Sequence, residues 1–225
     1  MSSRTRFVES SVGSKLLIGL TGLALVVYLC IHISANLTVF GGPAFFNGSA
    51  DMLERLPILP LIELVLLLVF VLHIYRTIRM HFSNRQARPV AYAMKKGAGH
   101  TSRKTLSSST MIVSGTWLLV FLVIHVKAFR FGPHYDYQGM RDFYRLEVEA
   151  LTNPAMVVFY VLSMIVVGAH LWHGASSALQ STGLDHPTWT PRLRVLTKVL
   201  AVVIAGGFIA ITIWVYLIAS KVIIL

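Results

Sequence analysis

Apolar residues run along this chain in five long blocks separated by polar connections. A helix that crosses a bilayer needs about 20 mainly apolar residues. Five segments reach that length, at about 16–40, 58–80, 109–130, 154–179 and 196–220. Pro57, Pro60 and Pro154 stand where helices begin, a place where the missing N–H does no harm. Gly41-Gly42-Pro43 is read as the end of the first block. The pattern predicts an all-α fold: an integral membrane bundle of five transmembrane helices, with residues 1–225 forming one domain. The connection SNRQARPVAYAMKKGAGHTSRKTLSSS, between the second and third blocks, is a basic loop. FGPHYDYQGMRDFYRLEVEALTN, between the third and fourth, is aromatic and mixed in charge. Its DFYRLEVEAL part is expected to form a short interfacial helix. No internal repeat and no low-complexity tract is read along the chain.

Composition sharpens this picture. Of 225 residues, 55% are hydrophobic and 13% charged, with a mean hydropathy of +0.69; an ordinary soluble domain carries about 25% charged residues. The formal charge of +11 is accounted for by cytoplasmic loops rich in Lys and Arg, and no nucleic-acid partner is expected. Placing the N-terminus inside puts 14 of the 20 basic residues on inner segments and 6 on outer ones. The expectation is therefore N-terminus cytoplasmic, C-terminus outside. The first apolar run is too long for a signal-peptide core and lacks a small-residue cleavage site, so it reads as an uncleaved helix. Cys30 is the one cysteine. It allows neither an internal disulfide nor a four-thiolate iron–sulfur site, and without C-x-x-C-H there is no covalently attached haem. Cys30 reads as core.

The chemistry lies in the histidines. His32, His73, His125, His170 and His173 all sit within apolar segments, where an imidazole needs a partner to offset lost water. At about 1.5 Å per residue, His32 and His125 each lie about 16 residues, roughly 24 Å, from the inner starts of their helices. His73 and His170 lie about 15 and 16 residues from the outer starts of theirs, on helices running the other way. The four sort into two level pairs, His32 with His125 towards the outer face and His73 with His170 towards the inner face. Two histidines on facing helices at one depth can ligate a haem iron from both sides. The competing reading is a histidine that only hydrogen-bonds a neighbouring helix. A bare metal ion is less favoured, because no carboxylate or thiolate accompanies the pairs.

Other residues take candidate roles. His173, one turn closer to the inner surface, is the substitute for His170, or a partner for a haem propionate or a quinone. Arg76 and Arg79 after His73, and Lys127 and Arg130 after His125, are propionate or quinone candidates; the competing reading of the outer pair is snorkelling to headgroups. Glu63 is the one carboxylate inside a predicted span and is a quinone or proton candidate. Tyr28, Ser34, Asn36 and Trp172 are weaker candidates. His81, His100, His134 and His186 read as solvated.

These residues together carry a family resemblance. CIHISANLTVFGGPAFFN, LHIYRTI, LVIHVKAF and NPAMVVFYVLSMIVVGAHLWHGASSALQSTGL resemble, in order and spacing, the dihaem cytochrome b membrane anchor of succinate dehydrogenases and fumarate reductases, the type with five helices in one polypeptide. The resemblance covers nearly the whole chain. It implies two haem b groups, with His32 and His125 as axial ligands of the outer, distal one and His73 and His170 of the inner, proximal one. It implies a flavoprotein subunit that oxidises succinate and an iron–sulfur subunit that passes electrons to this chain and on to a quinone, mostly menaquinone in such anchors. It also implies the cytoplasmic membrane of a prokaryote, and it leaves room for a higher oligomer of the complex. The inner basic loops would form the docking surface for the iron–sulfur subunit. The alternatives are a haem-poor structural anchor, a proton-coupled transporter, or the cytochrome subunit of another respiratory oxidoreductase.

Overall fold

The computed structural model describes residues 10–87, 110–184 and 186–222, with side chains up to Ala219. Five helices are long and apolar enough to cross a membrane: α1 (Ser11–Asn36), α3 (Leu59–Gln86), α4 (Met111–Phe129), α6 (Pro154–Ser181) and α7 (Thr190–Val222). These suit a multi-pass membrane protein. Ser10 caps α1, its Oγ accepting from Gly13 N at 3.0 Å. Asn153 caps α6 in the same way, accepting from Ala155 N at 2.9 Å ahead of Pro154. Such caps satisfy amides that the helix itself leaves unpaired.

The helices α1, α3, α4 and α6 form a ring. α1 packs beside α3 and α6, α4 beside α6 and more sparsely beside α3, and α7 lies along the outside of α6 and α1. Helices α1 and α4 therefore face each other diagonally, as do α3 and α6. Small residues let the neighbours approach closely, as is usual between membrane helices. A Cβ placed on Gly19 of α1 would lie 3.2 Å from Ala178 O of α6, and one on Gly168 of α6 would lie 3.0 Å from Ala205 Cβ of α7. Met164, Val167, Leu171, Ala201 and Ile204 form the core between α6 and α7, with Cys30 packed against it. Trp117 Nε1 of α4 donates to Ser163 Oγ of α6 at 3.0 Å. No residue of α3 or α4 is buried; both line one wall of a large internal cavity.

One end of the ring carries a cap. A 3-10 turn (Leu37–Gly41) leads into α2 (Pro43–Glu54), and a hairpin (β1, Asp136–Tyr137; β2, Met140–Arg141) leads into α5 (Phe143–Ala150). Gln138 and Gly139, at φ 54° and 82°, make the two-residue turn of the hairpin, both left-handed as in the turn whose twist matches that of the strands. Asn47 is fully buried and ties α2 to α5. Its Nδ2 donates to Asp142 Oδ1 at 2.8 Å, and its Oδ1 accepts from Tyr144 N at 2.9 Å. Asp142 in turn caps α5 by accepting from Arg145 N at 3.0 Å.

The observed boundaries differ from the expected ones for physical reasons. α1 ends at Asn36 and tightens into the 3-10 turn. Gly41-Gly42-Pro43 stops that segment and also starts α2, because Pro43 is preset for a first helical turn. Gly42 sits at φ 84°, a conformation that glycine adopts without strain. α3 runs past residue 80 to Gln86, and α7 begins at Thr190 ahead of Pro191. In both places backbone pairing continues through polar sequence. The interfacial helix expected in DFYRLEVEAL is α5. The basic loop over 88–109, with His100, lies outside the described residues, as do Arg4 and Arg6, so the docking surface expected there is not described.

Candidate functional site

The cavity inside the ring has a volume of about 1120 Å³, just above the roughly 300–1,000 Å³ of a site for one small molecule or cofactor. His32, His73, His125, His170 and His173 all line it. The rings of His32 and His125 meet across it, with centroids 5.9 Å apart and planes at 88°. His73 lies against Gly22 of α1, and His170 against Gly115 of α4. A Cβ on Gly22 would be 3.4 Å from His73 Cε1, and one on Gly115 would be 3.7 Å from His170 Cε1. Gly22 is ten residues before His32, and Gly115 ten before His125. The two histidine levels are therefore about 15 Å apart along the bundle.

The level nearer the start of α1 has its ring nitrogens set by hydroxyls. Thr21 Oγ1 lies 2.7 Å from Leu17 O and 3.0 Å from His73 Nδ1. Ser114 Oγ lies 3.1 Å from Met111 O and 3.0 Å from His170 Nδ1. Each hydroxyl has one hydrogen to give, to the carbonyl one turn back or to the ring nitrogen. Where it goes to the carbonyl, the oxygen accepts from the imidazole, Nδ1 carries the proton and Nε2 keeps a bare lone pair, the tautomer of a metal-ligating histidine whose other nitrogen is anchored. The level nearer the cap is set differently. Asn36 Nδ2 reaches His32 Nδ1 only at 3.4 Å, while it donates to His32 O at 2.7 Å. His125 Nδ1 is buried and has no hydrogen-bond partner. Here rings do the positioning: Tyr28 stacks on His32 with centroids 5.3 Å apart, and Phe121 on His125 at 5.4 Å.

These partners reveal a quasi-repeat that the sequence reading missed. Thr21-Gly22-x9-His32 on α1 matches Ser114-Gly115-x9-His125 on α4, with Tyr28 and Phe121 also in register. In each copy the hydroxyl bonds a histidine of the next helix of the ring, the glycine makes room for that ring, and the last residue is itself a cavity histidine. The expectation of no internal repeat is thus corrected: the repeat is short and lies in the spacing of a few residues.

The other candidates divide by which way they face. Glu63 and Arg130 both line the cavity and pair with each other at 3.1 Å, with side chains 43% and 54% exposed. Tyr28 and Asn36 also line it, whereas Arg76, Arg79, Lys127, Ser34 and Trp172 do not. Lys15, Gln180 and Ser181, none of them among the sequence candidates, line the end opposite the cap. Among the described residues, no three His, Cys, Asp or Glu side chains converge as ligands for a metal ion. Glu147 of α5 lines the capped end of the cavity with 7% of its surface exposed. Burial pushes its carboxyl up to about 8.

The spacing of the level nearer the cap fits an iron held between two histidines. Metal–nitrogen bonds of about 2 Å, plus about 1 Å of ring on each side, put two facing imidazoles about 6 Å apart, close to the 5.9 Å between His32 and His125. At the other level His73 and His170 line the same cavity, each with Nδ1 at 3.0 Å from a hydroxyl. No family model, no curated protein and no solved structure matches this chain.

Proposed function

We propose that this chain is the membrane anchor and electron-transfer subunit of a succinate:quinone oxidoreductase, carrying two b haems between an iron–sulfur subunit and a quinone, most consistently menaquinone. The observation that carries the reading is the pair of histidine levels on diagonally opposed helices around one cavity. A haem would need two donors from the protein, which is the number of histidines found at each level. His73 and His170 would hold the proximal haem, His32 and His125 the distal one. His173 also lines the cavity, but among the described residues no hydroxyl holds its ring, which favours His170 as the ligand. When bound, haem iron takes up and releases one electron at a time between its ferric and ferrous states. The protein's part is to fix the imidazoles, exclude water and, through Thr21 and Ser114, keep Nε2 unprotonated.

In this reading the chain lies in the cytoplasmic membrane of a prokaryote, N-terminus inside, with the cap outside. Its flavoprotein and iron–sulfur partners dock at the inner end. The haem-poor anchor accounts for the hydroxyl bonds to His73 and His170, but among the described residues His32 and His125 face each other across the cavity with no hydrogen bond to a neighbouring helix. A reduced-minus-oxidised spectrum of the purified complex, with a haem-to-protein ratio and identification of the co-purifying subunits, tests the proposal. A ratio near two with a b-type α band supports it. A ratio near zero in a preparation that has not lost cofactor refutes it.

A further inference from the structure

The two ends of the bundle differ in their charges. Among the described residues, every Asp and Glu lies in the cap or near the start of α3. The end opposite the cap carries Lys15, Arg79, Arg85, Arg192, Arg194 and Lys198 and, among the described residues, no carboxylate. The cations there have no anion of the protein to meet.

α7 marks where a bilayer core would meet that end. From Val199 to Ser220 it holds no charged residue. That stretch is about 30 Å long at the helical rise, the thickness of the hydrocarbon core. Lys198 stands at its edge, at the depth of lipid phosphates. It is exposed on the outer face of α7, with exposed Val195 and Val202 one turn to either side. Its Nζ lies 5.1 Å from the ring of Trp172 on α6, which is also exposed and faces away from the cavity.

The direction of that contact is informative. α6 and α7 run antiparallel, with Gly168 beside Ala205. Counting four residues from each puts Trp172 level with Ala201, about 5 Å further into the core than Lys198. A lysine at the end of a membrane helix ordinarily snorkels towards water. The Lys198 ammonium is instead turned back over the indole face, where a cation is attracted to the ring. Arg194, one turn nearer the end of α7, lies on the same side of the helix. Among the described residues neither cation has an ion pair and the Trp172 indole N–H has no acceptor. Three donors on two helices thus converge at the lipid boundary.

We infer that Lys198, Arg194 and Trp172 form a binding site for the phosphate of an anionic phospholipid, on the outer face of α6 and α7 at the end opposite the cap. The inference rests on the chain lying in a membrane and not on its haems. Charge selects the lipid class. A zwitterionic headgroup brings its own cation, which finds no carboxylate here, whereas a phosphatidylglycerol headgroup brings none.

The test uses the whole complex, delipidated in detergent and titrated with phosphatidylglycerol or phosphatidylcholine, with bound lipid counted by native mass spectrometry. The wild type should take up one phosphatidylglycerol per chain at least tenfold more tightly than phosphatidylcholine. A basic residue near an anionic lipid is worth about fivefold in binding. Lys198→Gln should therefore weaken phosphatidylglycerol about fivefold and Lys198→Gln with Arg194→Gln about 25-fold. Lys198→Arg should bind like the wild type, and so should Arg85→Gln, which removes a cation of the same end on α3. Haem content should be the same in all. A photoreactive group on Val195→Cys, in a Cys30→Ala background, should label phosphatidylglycerol in vesicles that contain it. Equal binding of the two lipids overturns the inference, as does displacement of the lipid by equimolar inorganic phosphate. Labelling of a second protein chain in place of lipid also overturns it. If the double variant fails to assemble, Lys198→Gln decides: affinity within twofold of wild type refutes the site.

Discussion

Replacing Thr21 with Val tests whether the hydroxyls govern the histidines. Valine keeps the shape of threonine and exchanges the hydroxyl for a methyl group, so packing of α1 against α3 is preserved. What is lost is the acceptor 3.0 Å from His73 Nδ1. A buried N–H left without a partner costs about 1–3 kcal/mol. Alternatively the ring changes tautomer, which puts the hydrogen on Nε2 and removes the lone pair. Loss of an outer-shell partner of a ligating histidine typically costs 10–100-fold in affinity, or about 1.4–2.7 kcal/mol. The two estimates agree. Thr21→Val should therefore release one haem of two during purification, moving the ratio from near two towards one, and Ser114→Ala should do the same at the same level. Thr21→Ser keeps the oxygen and should restore the ratio. Asn36→Ala should have a smaller effect, because Asn36 Nδ2 reaches His32 Nδ1 only at 3.4 Å. A Thr21→Val complex with full haem content, an unshifted α band and unshifted midpoint potentials would refute the assignment of the hydroxyl as the group that sets the ring.

Three further outcomes follow from the same geometry. Gly22→Ala should be tolerated, since its Cβ would meet His73 Cε1 at 3.4 Å, whereas Gly22→Leu should push the ring aside and give an assembled complex lacking one haem, read from the haem-to-protein ratio. Asn47→Ala removes both bonds that tie α2 to α5 and should lower stability by about 1–3 kcal/mol, seen as a lower thermal midpoint with haem content unchanged below it. Glu147 should make stability fall with rising pH: its carboxyl titrates near 8 in the fold against the ordinary 4.5, so its contribution is full below about 4.5 and is lost as pH rises through about 8. Thermal melts from pH 5 to pH 8 should show that decline in the wild type and a flatter profile in Glu147→Gln; parallel profiles would contradict it.

The five long helices were legible because bilayer thickness sets a length that composition alone can meet. The histidine levels were legible because helical rise is constant, so counting residues gives depth. Direction around the helix axis was not counted in the same way, and the misplaced candidates show it. Lys127 is two positions after His125, about 200° around the helix, and turns away from the cavity. Arg79 is six positions after His73, about 240° around, and also faces elsewhere. Thr77, one turn after His73, lines the cavity but has no charge to attract notice. The Thr21-Gly22 and Ser114-Gly115 pairs escaped because a repeat was sought in whole segments, while the physics repeats only a hydroxyl, a gap and an imidazole at fixed spacing. Glu147 shows the same omission from the other side. In FYRLEVEA, Arg145, Glu147 and Glu149 alternate as they would on an exposed strand. On a helix, Arg145 and Glu149 are one turn apart and pair, and Glu147, two positions from each, turns to the opposite face with Phe143, Leu146 and Leu151. That face closes the cavity, so once α5 is taken as a helix its own periodicity commits one carboxyl to the interior.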